Sequence, residues 1–365
     1  MRIEAGRLFA LFSFDVGYEI ALENLRAALP ADERPDGVAV ASRKVAPARV
    51  QYATPPLMVP LGTREVRLLG RPVSVGVTLR IHEFGAVTVL FGMPFDGQDC
   101  TRLPALTAAL TTEGALEADA RAALREAFPR IAPAITRPGL DAHGLVEDYY
   151  VIQVSRFDPP ADAAALLGLH RDLLARIVHC EPEALSGSET DEVLRTAVTY
   201  TPADLVVTDW NVALVYDEDD YEDALHVLEL LNVQLLELRF LDGMLDRRIG
   251  ALYEHVSRRR RLFSFRREVV RVRELSELRL DTATLRERMI NALKLIGDLY
   301  LTKIHARTAE RLHIAEWQRA VDGKLELVQK ISDVIGTRAA TARAELLELT
   351  IILLIALEIA LFFVR

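Results

Sequence analysis

The sequence predicts an α+β protein in three parts: a ferredoxin-like head over residues 1–216, a long antiparallel, coiled-coil-like helical stalk over residues 217–343, and a C-terminal transmembrane helix over residues 344–365. Three observations predict this fold class. The first part reads as strand, helix, two strands, helix and strand, which is the ferredoxin-like order. The second part spaces its leucines by three and four residues. The last part is an almost unbroken apolar run.

Six elements with strand or helix periodicity predict the head. Residues 73–81 carry valine, leucine or isoleucine at every second position, which is typical of a strand with one buried face. Pro30 and Pro129 are expected to end the two helices. The predicted strands are residues 8–14, 73–81, 86–91 and 147–154, and the predicted helices are residues 18–29 and 103–128. Residues 66–69 predict a further, brief strand. We expect an antiparallel sheet with its helices on one face.

Two further elements complete the head. Residues 161–179 have helical spacing. Residues 204–208 and 212–216 are apolar and flank the polar segment Asp209-Trp210-Asn211, so they predict a β-hairpin with a tight turn.

An acidic run marks the start of the stalk, with six acids among the seven residues 217–223. Carboxylates at the start of a helix accept hydrogen bonds from free N–H groups and favour the positive end of the helix dipole. A divalent-cation site is the alternative, but no distant ligand completes it. We therefore interpret the run as the beginning of a helix.

The first stalk helix carries apolar residues at coiled-coil spacing, with Asp242 in a seam position between Leu238 and Leu245. The seam residues are Leu228, Leu231, Leu235, Leu238, Leu245, Ile249, Leu252 and Val256. A polar residue in a seam weakens packing but can fix the register of two helices. We predict a structural polar cluster of Asn232, Arg239 and Asp242 shared between helices. A catalytic role for these residues is the alternative.

Two more helices are predicted in the stalk. Asp281 is expected to cap a helix that runs to about Ala320, and Asp322-Gly323 is expected to form a turn. A third helix starts near Leu325 and continues into the terminal run. The leucine spacing favours self-association of the chain through the stalk.

Eight arginines lie within the sixteen residues 258–273. The simplest interpretation is a solvated helix face that balances the acidic run. Two sharper interpretations are contact with anionic lipid headgroups and contact with RNA phosphates. The candidate contact residues are Arg258, Arg259, Arg260, Arg261, Arg266 and Arg267.

The terminal run, residues 346–364, is apolar apart from Glu348, Thr350 and Glu358. As a helix it would be about 28 Å long, close to the roughly 30 Å hydrocarbon core of a bilayer. The predicted anchor residues are Glu348, Ile351, Ile352, Leu354, Ile355 and Glu358. We interpret the run as a single-pass membrane anchor that leaves the bulk of the chain cytoplasmic. A helix buried in a helical assembly is the alternative.

Three segments also match a known sequence pattern. Residues 347–359 read LELTIILLIALEI, residues 296–300 read IGDLY, and residues 231–239 read LNVQLLELR, followed by Asp242. These segments resemble the YagE/RMD family, with Leu349 in place of that family's tryptophan. On this basis the chain is identified as a divergent member over residues 200–365. Of the family's proline-rich segment that ends in Trp-Asp, Trp317 is the remaining candidate.

The resemblance carries expectations about fold and role. It implies an α+β N-terminal region. Eukaryotic members of that family are mitochondrial and linked to translation at the inner membrane. For a bacterial relative, the resemblance implies an assembly or tethering role at a membrane.

Composition and motifs exclude several function classes. The net charge of −9 argues against a general nucleic-acid binder. Cys100 and Cys180 form neither a metal-binding spacing nor a disulfide framework. The sequence contains no nucleotide-binding, zinc-protease or nucleophile-elbow motif, and we interpret lone histidines such as His82 and His170 as structural. We predict no catalytic residue, no cofactor and no metal.

The expected function is a membrane-tethered, non-enzymatic scaffold or interaction protein, with the lipid bilayer and further copies of the chain as partners. The first alternative is an RNA- or ribosome-binding module that uses the arginine segment 258–273. The second is an enzyme with an unrecognised site in the head. The sequence identifies no small-molecule substrate.

Overall fold

A computed structural model describes residues 1–28, 51–52, 56–68, 70–139, 144–218, 221–257, 275, 280, 282–284, 293–294 and 299–364. The chain divides into two compact units. The first comprises Met1–Phe240 and Arg288–Trp317, and the second comprises Leu241–Glu287 and Gln318–Arg365. Across the described residues the fold is mixed α and β, with an eight-stranded sheet and eleven helices.

The first unit is built on this sheet. The strands are β1 (Arg2–Asp15), β2 (Glu19–Ile20), β3 (Gln51–Tyr52), β4 (Leu57–Leu68), β5 (Arg71–Ile81), β6 (Ala86–Pro94), β7 (Gln98–Asp99), β8 (Ile135–Thr136), β9 (Glu147–Asp158), β10 (Asp204–Thr208), β11 (Val212–Asp217) and β12 (Leu293–Lys294). The sheet has the order β10-β11-β9-β1-β6-β5-β4, and β7 also pairs with β1. Neighbouring strands are antiparallel, except that β11 is parallel to β9.

The sheet is wider than the sequence predicts. The four predicted strands lie within β1, β5, β6 and β9, and the predicted hairpin is β10–β11. The sheet also extends through β4 on one side and through the hairpin on the other. The pairing of β4 with β5 shifts register between Pro60 and Gly62. Pro60 and the register shift interrupt the alternation of apolar and polar residues that predicts a strand. Proline itself does not settle the question, because it occurs both in edge strands and in loops.

The described residues form nine α-helices. They are α1 (Leu22–Ala28), α2 (Leu103–Glu113), α3 (Ala115–Ile131), α4 (Ala163–Leu169), α5 (Arg171–Val178), α6 (Gly187–Leu194), α7 (Glu222–Ser257), α8 (Leu299–Arg311) and α9 (Ile314–Val364). Two short 3-10 helices, Cys100–Arg102 and Ala132–Ala134, complete the set. The main apolar core contains buried residues of α2 to α6 and of one face of the sheet.

The two faces of the sheet differ because side chains alternate along each strand. In β5, Val75, Val77 and Leu79 belong to the apolar core. Thr78 and Arg80 alternate with these core residues and therefore project to the opposite face. That second face carries the polar residues from which a site can be built.

The beginning of α7 is buried on all sides. It starts at Glu222, within the acidic run, as predicted. From Ala224 to Leu238 every residue except Gln234 is buried. Apolar residues outside the predicted seam, such as Val227 and Val233, account for this burial. Within the first unit this part of α7 is therefore an interior helix and not one strand of a coiled coil.

The second unit contains the end of α7 and most of α9. Lys324 Nζ lies 2.6 Å from Asp242 Oδ1 and 2.7 Å from Asp246 Oδ1, so an ion-pair cluster joins the two helices within this unit. The predicted turn at Asp322-Gly323 is wrong, because α9 runs unbroken from Ile314 to Val364. A glycine in a helix interior costs only about 1 kcal/mol, which is too little to end a long helix.

The predicted membrane anchor is also wrong. Within the part of the chain that the structure describes, no helix is both long enough and apolar enough to cross a membrane. The predicted segment is the last part of α9, and Glu348 and Glu358 interrupt its apolar run. Each carboxylate near the centre of a span would cost about 2.5–3.5 kcal/mol. The predicted fold class, with its transmembrane helix and single-pass membrane location, is corrected accordingly.

Candidate functional site

A layer of buried polar side chains lies between the second face of the sheet and α7. At one end, Arg80 of β5 and His82, which follows the strand, meet Glu229 of α7. Arg80 forms an ion pair with the Glu229 carboxylate, and His82 Nε2 lies 3.4 Å from Glu229 Oε1. All three residues are buried. Since desolvation offsets most of the attraction in a buried ion pair, stability alone is a weak explanation for this one.

The protonation states at this end are set by burial and by Arg80. Burial alone would raise the pKa of Glu229, but the Arg80 guanidinium and the His82 ring outweigh it and lower the pKa to about 2. Burial, and then the charge of Arg80, lower the pKa of His226 to about 4. At neutral pH, Glu229 is therefore ionised and His226 is neutral.

The middle of the layer contains two residues of the predicted polar cluster. Asn232 Nδ2 donates to Ser13 Oγ at 3.1 Å and to the Glu147 backbone carbonyl at 3.0 Å. Arg239 pairs with the Glu147 carboxylate. Burial raises the pKa of Glu147 to about 7, although Arg239 opposes the shift. The structure thus brings Asn232 and Arg239 together at Glu147, whereas Asp242 pairs within the second unit.

Two acids interact at the far end of the layer. Glu237 of α7 is fully buried, and neither of its carboxyl oxygens has a hydrogen-bond partner in the described part of the chain. Burial, and then the charge of Asp15, raise the pKa of Glu237 well above its ordinary value. Burial also raises the pKa of Asp15 to about 6. Both shifts favour the protonated forms of these two acids.

Beside Arg80, a pocket of about 420 Å³ opens between the sheet and the start of α7. Gly76 and Gly92 are cross-strand partners and leave its floor without side chains. A Cβ atom at Gly76 would lie 3.7 Å from the Gly92 carbonyl oxygen, which is an ordinary contact. The pocket therefore exists because these two side chains are missing. Its polar lining comprises Arg7, Thr78, Arg80, Tyr221, Glu222 and His226, and its apolar lining includes Phe9, Met58, Leu90, Met93 and Leu225.

Two arginines that line this pocket have hydrogen-bond donors without an acceptor among the described residues. Arg80 is 5% exposed, and its Nε has no hydrogen-bond partner among the described residues. Arg7 is exposed, and no described carboxylate pairs with it. A buried donor without an acceptor costs about 1–3 kcal/mol. The arrangement can therefore hold an anionic group.

A second polar cluster surrounds Asp209 in the β10–β11 turn. Its carboxylate accepts from Arg311 Nε at 2.6 Å, from His179 Nδ1 at 2.8 Å and from the Trp210 backbone N–H at 2.7 Å. The Tyr149 hydroxyl donates to the Asp209 carbonyl oxygen at 2.9 Å. Asp209 is 2% exposed. With its acceptors occupied by the protein, this cluster ties the hairpin to α8 and to the end of α5.

The remaining predicted site residues lie elsewhere. The six candidate arginines between Arg258 and Arg267 are outside the described residues. The predicted anchor residues between Glu348 and Glu358 lie exposed on α9.

The sequence analysis did not identify Arg80, Glu229 or the two glycines of the pocket floor, Gly76 and Gly92. The signal was present at the positions that alternate with the apolar residues of β5, where Gly76, Thr78 and Arg80 share one face. In α7, His226 and Glu229 interrupt an otherwise apolar stretch. Polar residues at buried positions of regular elements are therefore the pattern that could have located the site.

Comparisons with known proteins concern the region that builds the sheet. The family described as "Uncharacterized protein MJ0711, N-terminal domain" matches residues 5–222. The chain is 23% identical over 222 residues to Uncharacterized protein MJ0711 of Methanocaldococcus jannaschii, which covers 60% of this chain and 67% of that protein. No solved structure matches the chain.

These matches overturn the predicted membership of the YagE/RMD family. The three segments behind that resemblance all lie outside residues 5–222. Two of them are leucine-rich stretches of α7 and α9, and such helical sequences match one another by composition. The family match instead spans the strands β1 to β11 and ends where α7 begins. The chain belongs to the family of the MJ0711 N-terminal domain.

Proposed function

We propose that the first unit binds a small acid, a carboxylate or phosphate attached to an apolar body, in the pocket beside Arg80. The observation that carries the proposal is Arg80, which lines the pocket and whose buried Nε has no hydrogen-bond acceptor among the described residues. An anionic oxygen of the ligand would supply that acceptor. Hydrogen bonds between charged groups contribute about 1.5–3 kcal/mol, more than neutral ones.

Two arginines, Arg7 and Arg80, are the cationic side chains of the pocket lining. Glu229 already neutralises Arg80, because the two form a buried ion pair. Arg7 adds a positive charge at the exposed side of the pocket, where Glu222 is the acid of the lining. A ligand anion between the two arginines would meet both guanidinium groups.

The lining also favours an apolar body. Phe9, Met58 and Leu90 supply apolar surface, and the rings of Phe9 and Tyr221 lie 5.7 Å apart. Small-molecule pockets typically enclose about 300–1,000 Å³ and combine apolar walls with a few polar groups. The pocket has this composition and lies within this range of sizes.

Thermal shift and calorimetric titration of the full chain test the proposal. We expect phenyl phosphate and benzoate to raise the melting temperature, and we expect benzamide, which is neutral and of similar shape to benzoate, to leave it unchanged. A ligand that binds only the folded state stabilises it by about 2.7 kcal/mol at a hundred times its dissociation constant. If neither acid binds, or if benzamide binds equally well, the proposal is wrong.

Variants locate the binding. Gly76→Phe fills the floor of the pocket from an exposed strand position and should abolish binding without unfolding the sheet. Arg7→Gln should weaken binding about tenfold, the loss of one charged hydrogen bond. Arg2→Gln is the matched control, since Arg2 is exposed on the same strand and does not line the pocket. Binding that survives Gly76→Phe would place the ligand elsewhere.

The expected scaffold or interaction role stays a prediction, now without its membrane part. The RNA-binding alternative also stays a prediction, because the arginine segment lies outside the described residues.

A further inference from the structure

The last part of α9 exposes an unusual amount of apolar surface. Between Leu346 and Leu361, eleven leucine and isoleucine side chains are each more than half exposed. Their exposed area is on the order of 1,000 Å², whereas a monomer rarely exposes an apolar patch above a few hundred Å². One partner in a stable complex buries roughly 800 Å². These side chains lie on all sides of the helix, so a partner on one side covers only part of this area.

The two acids in this segment mark one side of the helix. At about 100° per residue, Glu348 and Glu358 lie about 80° apart around the helix axis. Leu346, Leu349 and Leu353 lie on the opposite side, at steps of three and four residues. Leu357 extends the same stripe by one more turn. We call these four residues the leucine seam.

We propose that a second copy of the chain packs along the leucine seam and forms a coiled coil between the two α9 helices. The seam has the three-four spacing of knobs-into-holes packing. Because the same stripe is present on both copies, the interface can be self-complementary, as in two-fold symmetric dimers. In this arrangement Glu348 and Glu358 of both copies stay in water.

The two acids also make the side of the helix around Ile355 unfavourable for pairing. Ile355 lies between Glu348 and Glu358 around the axis, so pairing through Ile355 would bring the acids of both copies into one interface. Like charges removed from water without partners are costly. The seam is therefore the side of α9 that two copies can share.

Cysteine cross-linking in the full chain tests this arrangement. Leu353 is central in the seam, so Leu353→Cys should give a disulfide-linked dimer under mild oxidation. Ile355→Cys, on the acid side, is the matched control and should cross-link at least fivefold less. The unmodified chain controls for Cys100, which is buried, and Cys180, which is partly buried. Equal cross-linking at both positions, or none at Leu353, overturns the proposal.

A second pair of variants separates association from reactivity. Leu353→Glu places a carboxylate in the seam and should convert the dimer to a monomer in light scattering after size-exclusion chromatography. Ile355→Glu adds the same charge to the acid side and should leave the dimer intact. Both positions are exposed in the single chain, so neither change should affect its fold. Dimers that tolerate Leu353→Glu, or a full chain that is monomeric without any substitution, would equally exclude the seam.

Discussion

Burial of Glu237 favours its protonated form and makes the stability of the fold depend on pH. Its folded-state pKa lies well above the ordinary 4.5 because of burial and then Asp15. The folded protein therefore holds a proton that the unfolded chain releases. Stability from this group is complete below about pH 4.5 and is lost as the pH rises towards the folded-state pKa.

Glu237→Gln should stabilise the protein, and more so at higher pH. The amide resembles the protonated acid but has no proton to lose on unfolding. We expect a gain of about 1–2 kcal/mol in the free energy of unfolding at pH 8 and much less at pH 5. Urea unfolding at both values measures the difference. Glu316→Gln, an exposed acid in the first turn of α9, is the control and should show no such trend. A gain that is equal at both pH values contradicts a raised pKa.

Among the elements, α9 differs most from the prediction. Its glycine at position 323 lies inside the helix and has nothing within 4 Å of a built Cβ atom. Gly323→Ala should therefore stabilise the second unit by about 0.5–1 kcal/mol, since alanine loses less conformational entropy.

Chemical denaturation followed by helix signal measures this effect. Gly62→Ala is the contrasting variant, because Gly62 has equally open space but a φ of +79°. It should destabilise the first unit, since a side chain is strained in that conformation. A destabilising Gly323→Ala would show that α9 bends or breaks there.

The regular elements were predictable, but most of β4, at one edge of the sheet, was not. β5, β6, β9 and the β10–β11 hairpin follow from alternation and turn residues, which are local signals. The brief strand predicted at residues 66–69 overlaps the end of β4, but the rest of β4 was missed because its partner strand, and not its own sequence, makes it a strand. The apolar end of α9 was misread because composition alone does not distinguish a membrane helix from one that serves another partner.

The candidate site was predictable only in part. Asn232 and Arg239 were selected as a polar cluster, and the structure brings both to Glu147. The pocket could not be predicted from the sequence, because Arg80 and Glu229 are 149 residues apart and meet only through the packing of α7 on the sheet. Tertiary proximity of this kind leaves no local pattern.

For the whole molecule, the family boundary and the compact unit do not coincide. The family match ends at residue 222, but the first unit continues through α7 to Phe240 and includes Arg288–Trp317. The buried part of α7 covers Arg80, Ser13 and Glu147. A chain without α7 would leave those polar groups and the apolar residues around them exposed.

We therefore expect a chain that stops after Asp217 to lose cooperative thermal unfolding. A chain that stops after Arg343 removes side chains that are exposed through Leu361, and its first unit should melt within about 2 °C of the full chain. Circular dichroism melts of the two truncations measure the contrast. If the shorter chain folds cooperatively, α7 is not part of the folding unit.

Because Gly76 and Gly92 form the floor of the pocket, ligand binding can be lost in evolution while the fold is kept. One substitution at Gly76 or Gly92 could close the pocket while both strands keep their pairing. Relatives with the same sheet would then divide into those that can hold a ligand and those that cannot. These two positions, more than overall identity, would decide to which relatives a ligand found for this chain can be transferred.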